Sequence, residues 1–223
     1  MRVWVTRTQP GADATAARLK ELGHEPLVAP LLAVWPLEAK ADLTRVSALA
    51  FTSANAVRAF DRAGRDPDMP VFAVGEATAQ AALIAGYTDV HAGPSDVAAL
   101  GVLIGAVLPD GAVVLHPCAA ERAGDLEAPL AAAGLILRAV PVYETVPAPS
   151  DAAILAAMGS AEAILLHSPK AARALKALLE RHSTPAARLL CLSPAVAAAL
   201  QGGKIPAVAL ATLPNDTALL NLL

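Results

Sequence analysis

Short apolar runs alternate along the chain with longer stretches in which apolar residues recur at helical spacing. The runs predict strands at Val3–Thr6, Leu27–Ala29, Ala48–Thr52, Val71–Val74, Asp89–Ala92, Val113–His116, Ile136–Val140, Ile164–His167, Leu189–Leu192 and Val208–Ala211. The alanine-rich stretches between them predict helices, among them Gly11–Leu22, Ala54–Arg62, Ala77–Ala85 and Lys170–Glu180. Several runs are apolar at every position, the pattern of a strand covered by helices on both faces. Strand–helix alternation of this kind predicts an α/β protein with parallel sheets built from right-handed crossovers.

The same pattern occurs twice. Ala50-Phe51-Thr52-Ser53-Ala54-Asn55 is matched by Leu165-Leu166-His167-Ser168-Pro169-Lys170, in each case a strand followed by a serine at a helix N-cap. Val74-Gly75-Glu76-Ala77 is matched by Leu192-Ser193-Pro194-Ala195, and Leu19, Gly23 and Pro30 by Leu130, Gly134 and Pro141. Three matches at nearly one offset predict two copies of one unit. After Pro30 and after Pro141 the chain turns extended, so residues 31–37 and 141–147 are expected to be linker strands. One lobe is then residues 1–30 plus 148–223 and the other 38–140. The expected fold is α/β, with two similar flavodoxin-like parallel-sheet lobes joined by a two-stranded linker. Two lobes joined in this way are expected to enclose a cleft, a favoured place for ligands.

Composition narrows the classes. Of the 223 residues 56% are hydrophobic, mean hydropathy is +0.52, and such a chain is not disordered. Seventeen basic against twenty acidic residues give a net charge of −3 with no basic run, which argues against a nucleic-acid partner. Cys118 and Cys191 form no CxxC or Cys/His ligand set and read as buried small hydrophobes. The apolar start of the chain is too short for a signal-peptide core, and no run reaches the ~20 residues of a membrane span. A cytoplasmic protein without a cofactor or metal is expected.

In parallel sheets ligands bind beyond the carboxyl ends of the strands, where helix N-termini point their unpaired N–H groups. The segments at those ends are Thr6-Arg7-Thr8, Thr52-Ser53-Ala54, Gly75-Glu76-Ala77-Thr78, His116-Pro117, His167-Ser168-Pro169-Lys170 and Ser193-Pro194. Each serine also has a purely structural role as a helix cap, worth ~0.5–2 kcal/mol. As a set, the hydroxyls and small residues suit an anionic ligand held by backbone donors and a few cations such as Arg7 and Lys170. No GxGxxG, P-loop, HExxH or GxSxG motif is present, which disfavours dinucleotide, nucleotide triphosphate, zinc and hydrolase-triad chemistry. An enzyme of this composition works by positioning and electrostatics. Tyr143, in Pro141-Val142-Tyr143-Glu144-Thr145, is either a packing residue at a hinge or a phenol able to donate a proton or hydrogen bond to a departing group.

These residues resemble the uroporphyrinogen-III synthase family along nearly the whole chain. The resemblance rests on Val5-Thr6-Arg7, Leu22-Gly23-His24, Phe51-Thr52-Ser53-Ala54-Asn55, Val74-Gly75-Glu76-Ala77-Thr78, Val142-Tyr143-Glu144-Thr145, Leu166-His167-Ser168-Pro169 and Leu192-Ser193-Pro194-Ala195. It implies a cofactor-free enzyme of haem and tetrapyrrole synthesis acting on hydroxymethylbilane, a linear tetrapyrrole with eight carboxylates. The enzyme expels the terminal hydroxyl to give an azafulvene; the last pyrrole attacks through its substituted carbon, and a spiro intermediate recloses with that ring inverted. The family's tyrosine falls on Tyr143, the implied catalytic residue. Its substrate-binding loops fall on Arg7, Ser53, Ala54, Gly75, Thr78, Ser168, Pro169, Lys170 and Ser193. Where some members carry threonines after the final Ser-Pro, this chain has Ala195 and Val196. The expected partners are the substrate and, transiently, hydroxymethylbilane synthase, and the expected state is a monomer. The competing class is a two-lobed binding or regulatory protein without catalysis; a nucleotide-dependent enzyme on a flavodoxin-like sheet lacks its phosphate loop.

Overall fold

The computed structural model describes residues 1–60, 66–94, 96–122, 124–182, 186–202, 205 and 207–223. The chain divides into two units, the first made of Met1–Ala33 with Val146–Leu223 and the second of Val34–Thr145. It begins in the first unit with β1 (Arg2–Val5), α1 (Gly11–Glu21) and β2 (Glu25–Val28). It then runs through β3 (Leu32–Pro36), β4 (Val46–Phe51), α2 (Ala54–Ala59), β5 (Val71–Val74), α3 (Gly75–Ile84) and β6 (Val90–Gly93). The second unit ends with α4 (Val97–Val107), β7 (Val113–Ala119), α5 (Glu127–Ala132) and β8 (Ile136–Pro147). Back in the first unit follow α6 (Ala152–Ser160), β9 (Ala163–Leu166), α7 (Pro169–Leu179), β10 (Arg188–Cys191), α8 (Pro194–Ala198), β11 (Val208–Leu210) and α9 (Asp216–Leu220).

The sheet of the first unit has the order β2-β1-β9-β10-β11, all parallel. The central strands β1, β9 and β10 are apolar apart from Arg2 and Arg188 at their starts, because both faces are covered. Trp4, Ile164, Leu166, Leu189 and Cys191 pack with α6, α7 and α8. Their neighbours Val3, Val5, Ala163, Leu165 and Leu190 point to the other face, against Leu19 of α1 and Leu219 of α9. The Trp4 indole N–H, fully buried, donates to the carbonyl of Ala29 at 2.7 Å.

The second unit repeats this arrangement. Its order β8-β7-β4-β5-β6, again parallel, matches β2-β1-β9-β10-β11 strand for strand. Leu49, Phe51, Val71 and Leu115 face α2 and α3, while Ala48, Ala50, Phe72 and Val114 face α4 and α5. The repeat extends to the helix ends. Gly23 and Gly134 both have positive φ, 78° and 71°. Just after each, an N–H reaches back to a fully buried leucine carbonyl, His24 to Leu19 and Leu135 to Leu130, each at 2.9 Å. This left-handed turn closes a helix and launches the next strand, and glycine adopts it without a Cβ penalty.

Several elements differ from the sequence expectation. The stretch expected as a strand to Val140 and then a linker is one strand, β8, whose far half pairs with β3. The Leu37 N–H donates to Val142 and the Ala148 N–H to Leu31, so this pairing is antiparallel, unlike the rest of the sheet. Pro141 does not break β8 because it sits at an irregularity: Cys118 faces Pro141, whereas Ala119 faces Tyr143. Val142 is therefore an extra residue, a bulge of the kind that accommodates proline and re-aims the following side chain. Consecutive residues of a regular strand point to opposite faces, but Val142 and Tyr143 are both buried in the α2/α3-facing core. The helix expected from Ala54 to Arg62 ends at Ala59, and Arg62 lies outside the described residues. Helix α3 starts at Gly75, two residues before its expected start.

Candidate active site

In the second unit the chain leaves β4 through Thr52 and Ser53. Ser53 has the extended backbone of an N-cap, and its hydroxyl accepts the N–H of Asn55 at 3.0 Å. Ala54 is buried at the first turn of α2. Ninety residues along, the Tyr143 hydroxyl donates to Ser53 Oγ at 3.1 Å. The bulge in β8 brings the phenol to this loop, and Tyr143 is 7% exposed. Two residues chosen from sequence for separate reasons thus form one hydrogen-bonded pair.

On the neighbouring strand β5, Gly75 opens α3 with φ 68°, a conformation its repeat partner Ser193 does not share. Thr78 is buried one turn further. Beside Thr52 lies a residue that the sequence placed only in a strand-end segment. His116 of β7 is 4% exposed, and its Nε2 is 3.2 Å from Thr52 Oγ1, while Nδ1 has no partner among the described residues. Burial, aided by the charge of Arg122, pushes its pKa down to about 4, so the imidazole is neutral at physiological pH.

The first unit has its own polar cluster. Thr6, fully buried after β1, donates to the carbonyl of Leu165 at 2.6 Å. Arg7 is an ion-paired residue: its Nη1 donates to Asp216 Oδ2 at 2.9 Å and reaches Thr15 Oγ1 at 3.4 Å. Asp216 Oδ1 faces His167 Nε2 at 3.4 Å. That contact, followed by the charges of Arg7, His167 and Arg18, outweighs burial and draws the Asp216 carboxyl down to about 2. Ser168 caps α7, accepting the N–H of Ala171 at 3.2 Å, with Pro169 and Lys170 half-buried in the first turn. Ser193 precedes α8 in extended conformation, and its side chain makes no cap hydrogen bond. Sequence reasoning missed Asp216 altogether, because its partner Arg7 is 209 residues away. Its only local mark is a place in the first turn of a helix capped by Asn215.

Cys118 and Cys191 are buried and form no disulfide, and burial raises both thiols, that of Cys191 to about 11, which disfavours the reactive thiolate. Among the described residues no group of His, Cys, Asp or Glu is placed to hold a metal ion, and no helix is long and apolar enough to cross a membrane.

The family model described as uroporphyrinogen-III synthase HemD matches residues 13–221. The chain belongs to the uroporphyrinogen-III synthase family. Membership assigns it to the lyases of porphyrin and haem biosynthesis rather than to binding proteins without catalysis. Among solved structures it is similar to the uroporphyrinogen-III synthetase of Helicobacter pylori, with TM-score 0.67 and 21% identity over 99% of this chain and 96% of that one. A mutant uroporphyrinogen III synthase from Thermus thermophilus also aligns, with TM-score 0.49 and 21% identity over 99% and 96% of the two chains. Comparison with curated proteins gives no match. The likeness to the Helicobacter pylori structure shows that the synthase fold is shared.

Proposed function

We propose that Tyr143 is the catalytic residue of this synthase and that Ser53 works with it; the observation that carries this is the 3.1 Å hydrogen bond from the Tyr143 hydroxyl to Ser53 Oγ. Ser53 Oγ accepts from both Tyr143 and the Asn55 N–H, so both its lone pairs are engaged and its own proton is left to donate to a ligand. When the hydroxyl of hydroxymethylbilane departs, its C–O bond breaks with the electron pair going to oxygen. That oxygen takes a proton from the phenol and leaves as water, while the pyrrole N–H of the new azafulvene gives one up, so the proton count is restored. Ring closure then depends on holding the chain in one geometry against spontaneous closure to the uninverted isomer, which positioning energy can decide.

The substrate's carboxylates are taken by Ser53, Thr78, Ser168, Ser193, Arg7 and Lys170, with Ala54, Gly75 and Pro169 leaving room at the first helical turns. The arrangement of hydroxyls and N-terminal helix turns at the carboxyl ends of both sheets supports this. The same reading makes the protein a cytoplasmic monomer supplied by hydroxymethylbilane synthase; sedimentation giving twice the mass of the 22.6 kDa chain would remove the monomer.

The deciding experiment generates hydroxymethylbilane in situ, adds the chain, and separates the oxidised products as porphyrin isomers I and III. Type III above the no-enzyme control is expected; only type I from a folded sample overturns the reading. Tyr143→Phe keeps the ring and removes the donor, and kcat is expected to fall about 10²-fold. Undiminished turnover would take the catalytic role away from Tyr143.

A further inference from the structure

Arg7, Thr15, His167 and Asp216 lie far apart along the chain and meet at the carboxyl ends of β1 and β9. Asp216 stands in the middle, one carboxylate oxygen on the Arg7 guanidinium and the other facing the His167 ring. Arg7 is fixed from a second side as well. It lies so close to α1 that a Cβ on Gly11 would be 2.5 Å from its Nε and 2.7 Å from its Cζ. Only Nη1 of this guanidinium is engaged; Nε and Nη2 make no hydrogen bond among the described residues. The His167 side chain is 9% exposed; its Nε2 is turned to Asp216 at 3.4 Å, while Nδ1 is buried without a hydrogen-bond partner among the described residues. An unpaired polar atom at such depth is costly, and a ligand oxygen would offset that cost.

We propose that Asp216 is a positioning residue for substrate binding, holding Arg7 and His167 so that their unused N–H groups take one carboxylate of the substrate. The proposal rests on the synthase reading above, which supplies a substrate with carboxylates. An arginine free to wander would lose much side-chain entropy on binding; one already clamped by Asp216, Thr15 and Gly11 loses little. Its planar fork suits a carboxylate, and one N–H from an imidazole completes the grip. Asp216 itself touches no substrate in this arrangement and acts through its two neighbours.

The test uses the full chain with hydroxymethylbilane generated in situ and initial rates of type III formation over a range of substrate. Asp216→Asn keeps the shape and removes the charge. Gly11→Ala pushes on the same guanidinium from the opposite side, and the atoms it meets are the far end of a flexible side chain, so the fold is retained and Arg7 moves. Both variants are expected to raise KM about tenfold with kcat within about twofold, the mark of lost uniform binding. Asp216→Glu is expected to recover part of the loss. A folded Asp216→Asn with wild-type KM overturns the proposal. If that variant fails to fold, Gly11→Ala decides alone, and wild-type KM there overturns it equally. A wild-type chain giving no type III product overturns the synthase reading and this proposal together, an outcome distinct from an active wild type whose variants bind normally.

Discussion

At the scale of single residues, two ionisable groups, His116 buried and Asp216 half-buried, make stability depend on pH in different windows. His116 titrates near 6.5 when exposed and at about 4 when folded, so the folded form binds fewer protons between those values. Its contribution is complete above pH 6.5 and is lost as pH falls toward 4, to a total of about 3 kcal/mol. Asp216, drawn down from 3.8 to about 2, contributes above pH 3.8 and loses its contribution only as pH falls toward 2. Urea unfolding of His116→Gln is therefore expected to show a flatter dependence between pH 7 and pH 4.5 than the wild type, while Asp216→Asn leaves that interval unchanged. Equal slopes for His116→Gln and wild type would assign the acid sensitivity to other groups. Tyr143 and Ser53 could be picked out as candidates because each stands in a distinctive local setting, a phenol after Pro-Val and a serine between strand and helix. Asp216 and His116 could not. What matters about them is a partner across the fold and a degree of burial, neither of which leaves a local pattern.

At the scale of elements, the apolar runs marked most strands to within a residue or two because both sheet faces are covered; β7 runs three residues past its expected end at His116. The failure at β8 has a definite cause. Proline signals a break by removing an N–H, and nothing in the sequence says that a bulge will absorb Pro141 and let the strand continue. Helix contacts were equally hidden. Helices α4 and α5 approach so closely that a Cβ on Gly101 would lie 2.5 Å from Pro129 Cγ, against a ring that cannot turn aside. Gly101→Ala is expected to cost about 1–3 kcal/mol by overpacking. Gly159→Ala, at an exposed position of α6, meets nothing within 4 Å and is expected to stabilise by up to about 1 kcal/mol through helix propensity. Denaturant midpoints of the two variants check both signs, and a neutral Gly101→Ala would mean that α5 can shift.

At the scale of the whole molecule, the two units share one spatial order of strands but not one order along the chain. The second unit is continuous, and residues 34–145 alone are expected to unfold cooperatively in urea with a helical and strand circular-dichroism spectrum. A fragment of residues 146–223 lacks β1, the strand beside β9, and β2 beyond it, and is expected to remain unfolded. A cooperative transition in that fragment would show that three strands suffice.

The interrupted order of the first unit bears on synthesis at the ribosome. Val3, Trp4 and Val5 are fully buried in the finished protein, yet their neighbouring strand β9 does not emerge until Ala163. At about 5–20 residues per second, β1 and β2 wait on the order of ten seconds, during which every strand of the second unit is made. The nascent chain thus completes its middle first, and the earliest apolar strand it exposes is among the last to find its place.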